Sequence, residues 1–173
     1  FMAWDRPILT DSGGFQIFSL ARLSRVDDRG VLFKSHVDGS DVLLTPERSI
    51  EVQEAPGADI VMALDACPAN PCPREVARRA VERTLLWAAR SLAAKRREDQ
   101  ALFGIQQGGL DVGLRTECAE RLIALDLPGY AVGGLAVGEA RDEMLAALAA
   151  AGPALPEGKP RYLMGVGKPL DIL

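Results

Sequence analysis

Apolar positions along this chain fall into short continuous runs that alternate with longer, looser stripes. The short runs are Ile8-Leu9-Thr10, the segments 58–65, 101–109 and 129–135, and Arg161-Tyr162-Leu163-Met164. The segment Ala58-Asp59-Ile60-Val61-Met62-Ala63-Leu64-Asp65 is typical of a strand buried on both faces, as in a parallel sheet. Between the runs, helical spacing is expected over residues 15–20, from 74 to about 100, from 112 to 125 and from 139 to 151. Punctuation agrees with this reading. Pro56-Gly57 and Gly152-Pro153 close helices, and the proline-rich segment 67–73 reads as a loop.

One stretch breaks the alternation. Residues 30–44 hold two β-prone runs around Asp38-Gly39, the signature of a tight hairpin. Thr45-Pro46-Glu47 then supplies an N-cap, a proline at the first helical position and an acid in the first turn, so a helix is expected over 46–54.

A β-α unit repeated five times, with a hairpin inserted after the first, implies a parallel sheet with right-handed crossovers. Either a doubly wound sheet or a (β/α)8 TIM barrel would satisfy that. No GxGxxG follows the first strand, and no acid stands at the spacing a dinucleotide ribose needs. Instead a functional group or glycine pair follows every strand: Asp11, Asp65, Gln107, Gly133-Gly134 and Met164-Gly165. In a barrel these tips share the C-terminal mouth, where such enzymes hold their sites. The expected fold is therefore α/β, a partial TIM barrel of about five βα units with an inserted β-hairpin, residues 1–173 forming part of one catalytic domain.

Composition narrows the class further. The hydrophobic share of 48% and charged share of 25% are ordinary for a globular protein. No apolar run reaches the roughly 18 residues needed to cross a bilayer, and no basic-then-apolar leader is present, so no membrane partner is expected. Three cysteines, Cys67, Cys72 and Cys118, cannot all pair within one chain, which fits a reducing, cytoplasmic setting. Cys67 and Cys72 with the single histidine, His36, make a poor zinc signal. A net charge of −4 argues against a uniformly basic nucleic-acid binder. Arg74, Arg78, Arg79, Arg83, Lys95, Arg96 and Arg97 are expected to form a solvated helix face. The chain starts without methionine and stops in what reads as the first turn of a helix at 168–173, so an internal fragment is expected.

The strand tips suit a particular ligand chemistry. The carboxylates of Asp11 and Asp65 bind paired N–H donors, while the amide of Gln107 and a bare N–H at Gly134 suit a carbonyl oxygen. Phe15 and Met164 could sandwich a planar ring. A guanine-like edge fits that inventory, and carboxylates as the only acid/base groups suit glycosidic-bond chemistry. No Ser-His-Asp triad and no P-loop is present. Each residue also has an ordinary structural alternative: Asp65 as a cap, Gln107 satisfying loop backbone, Met164 in the core.

At these residues the chain resembles the queuine tRNA-ribosyltransferases, the tRNA-guanine transglycosylases. The matching segments run in family order over nearly the whole chain: Leu9-Thr10-Asp11-Ser12-Gly13-Gly14-Phe15-Gln16, Ser35-His36-Val37-Asp38-Gly39-Ser40, Leu44-Thr45-Pro46-Glu47, Ala58-Asp59-Ile60-Val61-Met62, Phe103-Gly104-Ile105-Gln106-Gln107-Gly108-Gly109, Gly133-Gly134-Leu135-Ala136-Val137-Gly138-Glu139 and Tyr162-Leu163-Met164-Gly165-Val166-Gly167. The resemblance implies a (β/α)8 barrel with a zinc-bearing insertion and no organic cofactor. It implies exchange of guanine at the wobble position of tRNA with a GUN anticodon for 7-aminomethyl-7-deazaguanine (preQ1), through a covalent enzyme–ribose intermediate in queuosine biosynthesis. A homodimer is implied for the full-length protein.

By position, the resemblance makes Asp11 the general acid/base, with Ser12, Gly13, Gly14 and Phe15 lining the base site and Phe15 stacking on the ring. Asp65 and Gln107 would read the guanine edge, the Gly134 N–H would bind its carbonyl, the Leu135 backbone would meet the aminomethyl group, and Met164 would cover the other face. Gly165, Val166, Gly167, Lys168, Pro169, Leu170 and Asp171 match a tRNA-contacting segment, Lys168 being the natural phosphate partner. Val137 and Ser35-His36 resemble the bacterial members; eukaryotic ones resemble Gly at the Val137 position. Ala66 and Leu170 stand where the family often carries acids. The family's aspartate nucleophile and its Cys/His zinc ligands fall beyond Leu173, and Cys67, Cys72 and Cys118 do not match those ligands, so these residues alone are expected to be inactive. Two other readings are a non-catalytic RNA-binding relative and a glycoside hydrolase barrel using Asp11 and Asp65.

Overall fold

The computed structural model of the chain describes residues 3–16 and 24–167. The expected helical positions 17–20 and the tRNA-segment positions Lys168, Pro169, Leu170 and Asp171 lie outside the described residues.

Five strands form a parallel sheet: β1 (Leu9–Thr10), β5 (Ile60–Met62), β6 (Ala101–Gln106), β7 (Gly129–Val132) and β8 (Arg161–Leu163), in the order β1-β5-β6-β7-β8. Spatial order thus follows chain order throughout. A doubly wound sheet would reverse direction partway, so this order is that of a curled, barrel-like sheet. The register pairs Leu9 with Ile60, Ile60 with Ala101, Phe103 with Gly129 and Val132 with Leu163. All five C-terminal strand ends therefore rise to one rim.

Alternation along each strand divides the side chains between two faces. One face, with Val61, Leu102, Tyr130 and Val132, packs with residues of α1 (Pro46–Glu54), α2 (Arg74–Ala94), α3 (Val112–Ile123) and α4 (Arg141–Ala151). Ile50, Val81, Leu85, Leu114, Leu122 and Met144 are their buried contributors, each worth roughly 1.5–3 kcal/mol of apolar burial. The other face gathers Met62, Phe103, Ile105 and Ala131 with Met164 beside them. Phe103 lies over Gly129, where a Cβ would come within 2.3 Å of its ring.

The helix ends have local causes. Thr45 Oγ1 accepts the Arg48 N–H at 3.2 Å and Asp111 Oδ1 accepts the Leu114 N–H at 2.9 Å, capping α1 and α3. α2 stops at Ala94 rather than near 100. Residues 95–100 offer no apolar side chain to bury, and the Arg96 N–H is taken by Glu54 Oε1 at 3.0 Å. α4 starts at Arg141 rather than Glu139, because the Glu139 carboxylate turns back onto the N–H groups of Ala136 and Val137, while Glu143 accepts the Ala140 N–H at 2.9 Å.

The inserted hairpin, β3 (Gly30–Lys34) with β4 (Asp41–Leu44), is present with its turn at Asp38-Gly39. It has one more strand than expected. β2 (Arg25–Asp27) pairs antiparallel with β3, making a separate three-stranded sheet β2-β3-β4. That sheet is tied to α2 by Trp87, whose Nε1 donates to the Asp28 carbonyl at 2.9 Å. Arg90 donates to Glu47 twice at 2.7 Å and to the carbonyls of Asp28 and Arg29.

Candidate functional site

The rim of the parallel sheet holds a cleft of about 170 Å³ lined by Asp11, Phe15, Gln16, Asp65, Cys67, Gly133, Gly134, Leu135, Ala136, Val137, Met164 and Gly165. Residues far apart in sequence meet here because each follows a strand of the same sheet. The volume suits a single small ring system, below the range of sites built for drug-sized ligands.

Asp11 sits one residue past β1. Its Oδ1 accepts the Ser12 N–H at 2.7 Å and its Oδ2 accepts Gln16 Nε2 at 3.1 Å. Ser12 and Gly13 shape the turn behind it. Ser12 is buried, its Oγ accepts the Gly14 N–H at 3.3 Å, and its carbonyl accepts from Ser49 Oγ at 2.8 Å. Gly13 takes φ +81°, open to glycine at no steric penalty. Gly14 approaches the Asp65 carbonyl so closely that a Cβ would lie 3.1 Å from it.

Asp65 is buried at 8% exposure, and burial pushes its carboxyl up to about 7. Gln107 opposes that rise by donating from Nε2 to Asp65 Oδ2 at 2.6 Å, while the charge of Asp11 adds to it. Gln107 is itself fully buried, and its Oε1 has no hydrogen-bond partner. Asp65 is thus the acceptor that faces the cleft, while Gln107, which is not among the lining residues, holds it from behind with its Oε1 packed against the Gly134 backbone.

Beside them runs the loop 133–139. Gly134 has φ +63°, and a Cβ there would lie 2.3 Å from Gln107 Oε1. Its N–H makes no backbone hydrogen bond among the described residues and is turned toward the Cys67 thiol, which lines the same cleft and which it helps to hold down. Three residues outside the sequence-level site hold this loop. Asn70 Nδ2 donates to the Gly134 carbonyl at 2.9 Å and to Glu139 Oε2 at 3.3 Å. Glu139 receives the N–H groups of Ala136 and Val137; burial pushes its carboxyl up, but these backbone donors outweigh it and hold the group below its ordinary value. Arg115, at 1% exposure, donates to the carbonyls of Gly109, Gly133 and Gly134. Burial pulls its guanidinium down to about 10.

The remaining candidates are placed as follows. Phe15, Leu135, Met164 and Gly165 line the cleft, whereas Val166 packs partly buried against the main core and Gly167 is exposed. Of the basic residues expected on one helix face, Lys95, Arg96 and Arg97 lie beyond the helix end at Ala94; the ion pairs are Arg74 with Asp111 at 2.6 Å, Arg78 with Glu117 at 3.6 Å, Arg83 with Asp28 at 3.2 Å and, past the helix, Arg97 with Asp99 at 2.8 Å. Among the described residues no group of three His, Cys, Asp or Glu side chains is placed to hold a metal ion. No helix among them is long and apolar enough to cross a membrane.

Fold and cleft together define an α/β protein with a small cleft, lined by two carboxylates and a glycine-rich loop, at the C-terminal rim of its parallel sheet. The family model for queuine tRNA-ribosyltransferase matches residues 1–173, and the chain belongs to that family. It is 57% identical over 173 residues to a queuine tRNA-ribosyltransferase of Thermus thermophilus, covering 100% of this chain and 45% of that protein. Similar figures hold for proteins of the same name from Thermosynechococcus vestitus, 53% over 173 residues with 46% of that protein covered, and Dinoroseobacter shibae, 56% over 174 residues with 46% covered. The chain spans less than half the length of these curated relatives.

Proposed function

We propose that these residues form the base-binding part of a tRNA-guanine transglycosylase, within one (β/α)8 catalytic domain of a longer polypeptide. The observation that carries this reading is the meeting of Asp11, Asp65, Phe15, Met164 and the Gly134 backbone, its N–H turned toward Cys67, at one cleft. Guanine supplies what the cleft lacks. Its N1–H and exocyclic amine answer the carboxylate of Asp65, which Gln107 holds from behind, its 6-oxo group takes the Gly134 N–H in place of the Cys67 thiol, and its ring fits between Phe15 and Met164. For preQ1 the Leu135 backbone meets the aminomethyl group.

In the exchange, the C1′–N9 bond at the wobble nucleotide of a GUN-anticodon tRNA breaks with its electron pair going to the purine. Asp11 supplies the departing base with a proton and takes one from the incoming preQ1. C1′ is meanwhile held by a carboxylate nucleophile from elsewhere in the full-length chain. The segment 165–171 follows the cleft directly and is suited to the tRNA backbone, with Lys168 toward phosphate. The family's zinc does not fit the cysteines here: Cys67 and Cys118 are buried, and burial pushes their thiols up to about 12 and about 11. No step is assigned to it. A cytoplasmic homodimer is the expected setting.

The test is incorporation of labelled guanine into a GUN-anticodon tRNA by the full-length protein and by its Asp11→Asn variant. Exchange by the first and a loss of at least about a hundredfold by the second is expected. Absence of exchange by the unaltered protein would reject the reading.

A further inference from the structure

The peptide that presents the Gly134 N–H is gripped from behind by a buried cation. Arg115 Nη1 and Nη2 both donate to the Gly133 carbonyl at 3.1 Å, and Nη2 also reaches the Gly134 carbonyl at 3.1 Å. Its Nε donates to the Gly109 carbonyl at 2.7 Å. Among the described residues the guanidinium has no carboxylate within ion-pair distance. Glu139 attracts it only from longer range, and taking such a charge out of water without a paired carboxylate costs several kcal/mol, more than packing alone would justify.

We propose that Arg115 is a positioning residue for the base carbonyl, aiming and polarising the Gly134 N–H through the Gly133 carbonyl. The inference rests on the base-exchange reading above. A trans peptide is planar, so the Gly133 carbonyl and the Gly134 N–H point in opposite directions along one rigid unit. Fixing the oxygen on the guanidinium fork fixes the hydrogen toward the cleft, and Asn70 clamps the next carbonyl in the same way. A positive charge on the oxygen side also draws electron density from the N–H, making it a stronger donor. When the C1′–N9 pair is released to the purine, negative charge spreads to the 6-oxo oxygen. A fixed dipole backed by a buried cation stabilises that charge without reorganisation. The ordinary alternative is that Arg115 only satisfies the carbonyls of a tight loop.

The two roles separate on a ligand without the oxygen. In the full-length protein, dissociation constants are measured for guanine and for 2-aminopurine, which lacks the 6-oxo group, with Arg115→Met and Arg115→Lys. Guanine binding is expected to weaken at least about tenfold in Arg115→Met, while 2-aminopurine binding changes less than about twofold. Arg115→Lys keeps the charge without the fork and is expected to fall between; it carries the comparison if Arg115→Met does not fold. Equal losses on both bases, or unchanged guanine binding, overturn the proposal. Failure of the unaltered protein to bind guanine rejects the base-exchange reading and the inference with it.

Discussion

Gln107 and Asp65 share a 2.6 Å hydrogen bond in which the amide donates to a carboxylate that burial has pushed up to about 7. The unfolded chain releases the Asp65 proton near 3.8, whereas the folded chain keeps it until about 7. Across that window the folded state binds the extra proton, so stability falls as pH rises and levels off above it. Asp65→Asn has no proton to lose. Its thermal midpoint is expected to decline less between pH 5 and pH 8 than that of the unaltered protein; a steeper decline in the variant would contradict the assignment.

If the cleft takes guanine as proposed, the same carboxyl sets when it can accept that base's donors. Only the ionised form offers all its lone pairs to an N–H edge. Guanine affinity is therefore expected to rise with pH through about 7 and to lose that dependence in Asp65→Asn. Calorimetric titration at pH 6 and pH 8 measures both.

Gly134→Ala is expected to damage the site twice. The φ of +63° makes an L-residue there unfavourable by roughly 1–2 kcal/mol. Its Cβ, 2.3 Å from Gln107 Oε1, also pushes the amide off Asp65. Base affinity should fall at least about tenfold. Gly158→Ala, with open space around the added carbon, serves as the control and should leave both stability and affinity unchanged.

Cysteine chemistry should follow exposure and charge. Cys67 is pushed up to about 12 by burial and the Asp65 charge, and Cys118 to about 11 by burial. Cys72 is only partly buried. Under native conditions an alkylating reagent should modify Cys72 first, with the other two reacting only on unfolding; peptide mass mapping after a time course reads the order.

Arg90→Ala should loosen the antiparallel sheet. Arg90 bridges Glu47 on α1 and the carbonyls of Asp28 and Arg29 in the β2–β3 turn, and its guanidinium holds the Glu47 carboxyl down to about 2. Glu47 is close to half exposed, so the ion pair itself is worth about 1 kcal/mol or less. The Asp28 carbonyl keeps the Trp87 donor while the Arg29 carbonyl loses its own, which brings the expected loss to roughly 1–2 kcal/mol, and because the Glu47 shift is downward its part fades only below the ordinary carboxylate range. Chemical denaturation at neutral pH measures the total.

The parts of this molecule legible in the sequence are those where one residue type has one physical use. Asp38-Gly39 at a hairpin and Thr45-Pro46 at a helix start are local, and both stand where expected. Asp11, Asp65 and Gly134 could be gathered in advance because they end strands, and a parallel sheet brings strand ends together. What escaped notice depends on long-range partners. Asn70 reads as one more polar residue in a proline-rich loop until its amide is seen on the Gly134 carbonyl. Arg115 left a signal, since it stands among Leu114, Cys118, Ala119 and Leu122, the buried positions of α3, where a charge has no reason to be without a buried partner. β2 is a three-residue run whose pairing is decided by Trp87 and Arg90 far along the chain.

The loop from Asp65 to Asn70 joins two tasks on one short piece of chain. Its first residue lines the cleft, and its last holds the loop on the opposite side. Connections at this end of an α/β sheet are ordinarily where length varies freely. Here the six residues from Asp65 to Asn70 are a gauge block set between the two sides of the cleft. An inserted residue would shift one jaw against the other, leaving the fold intact and the fit lost.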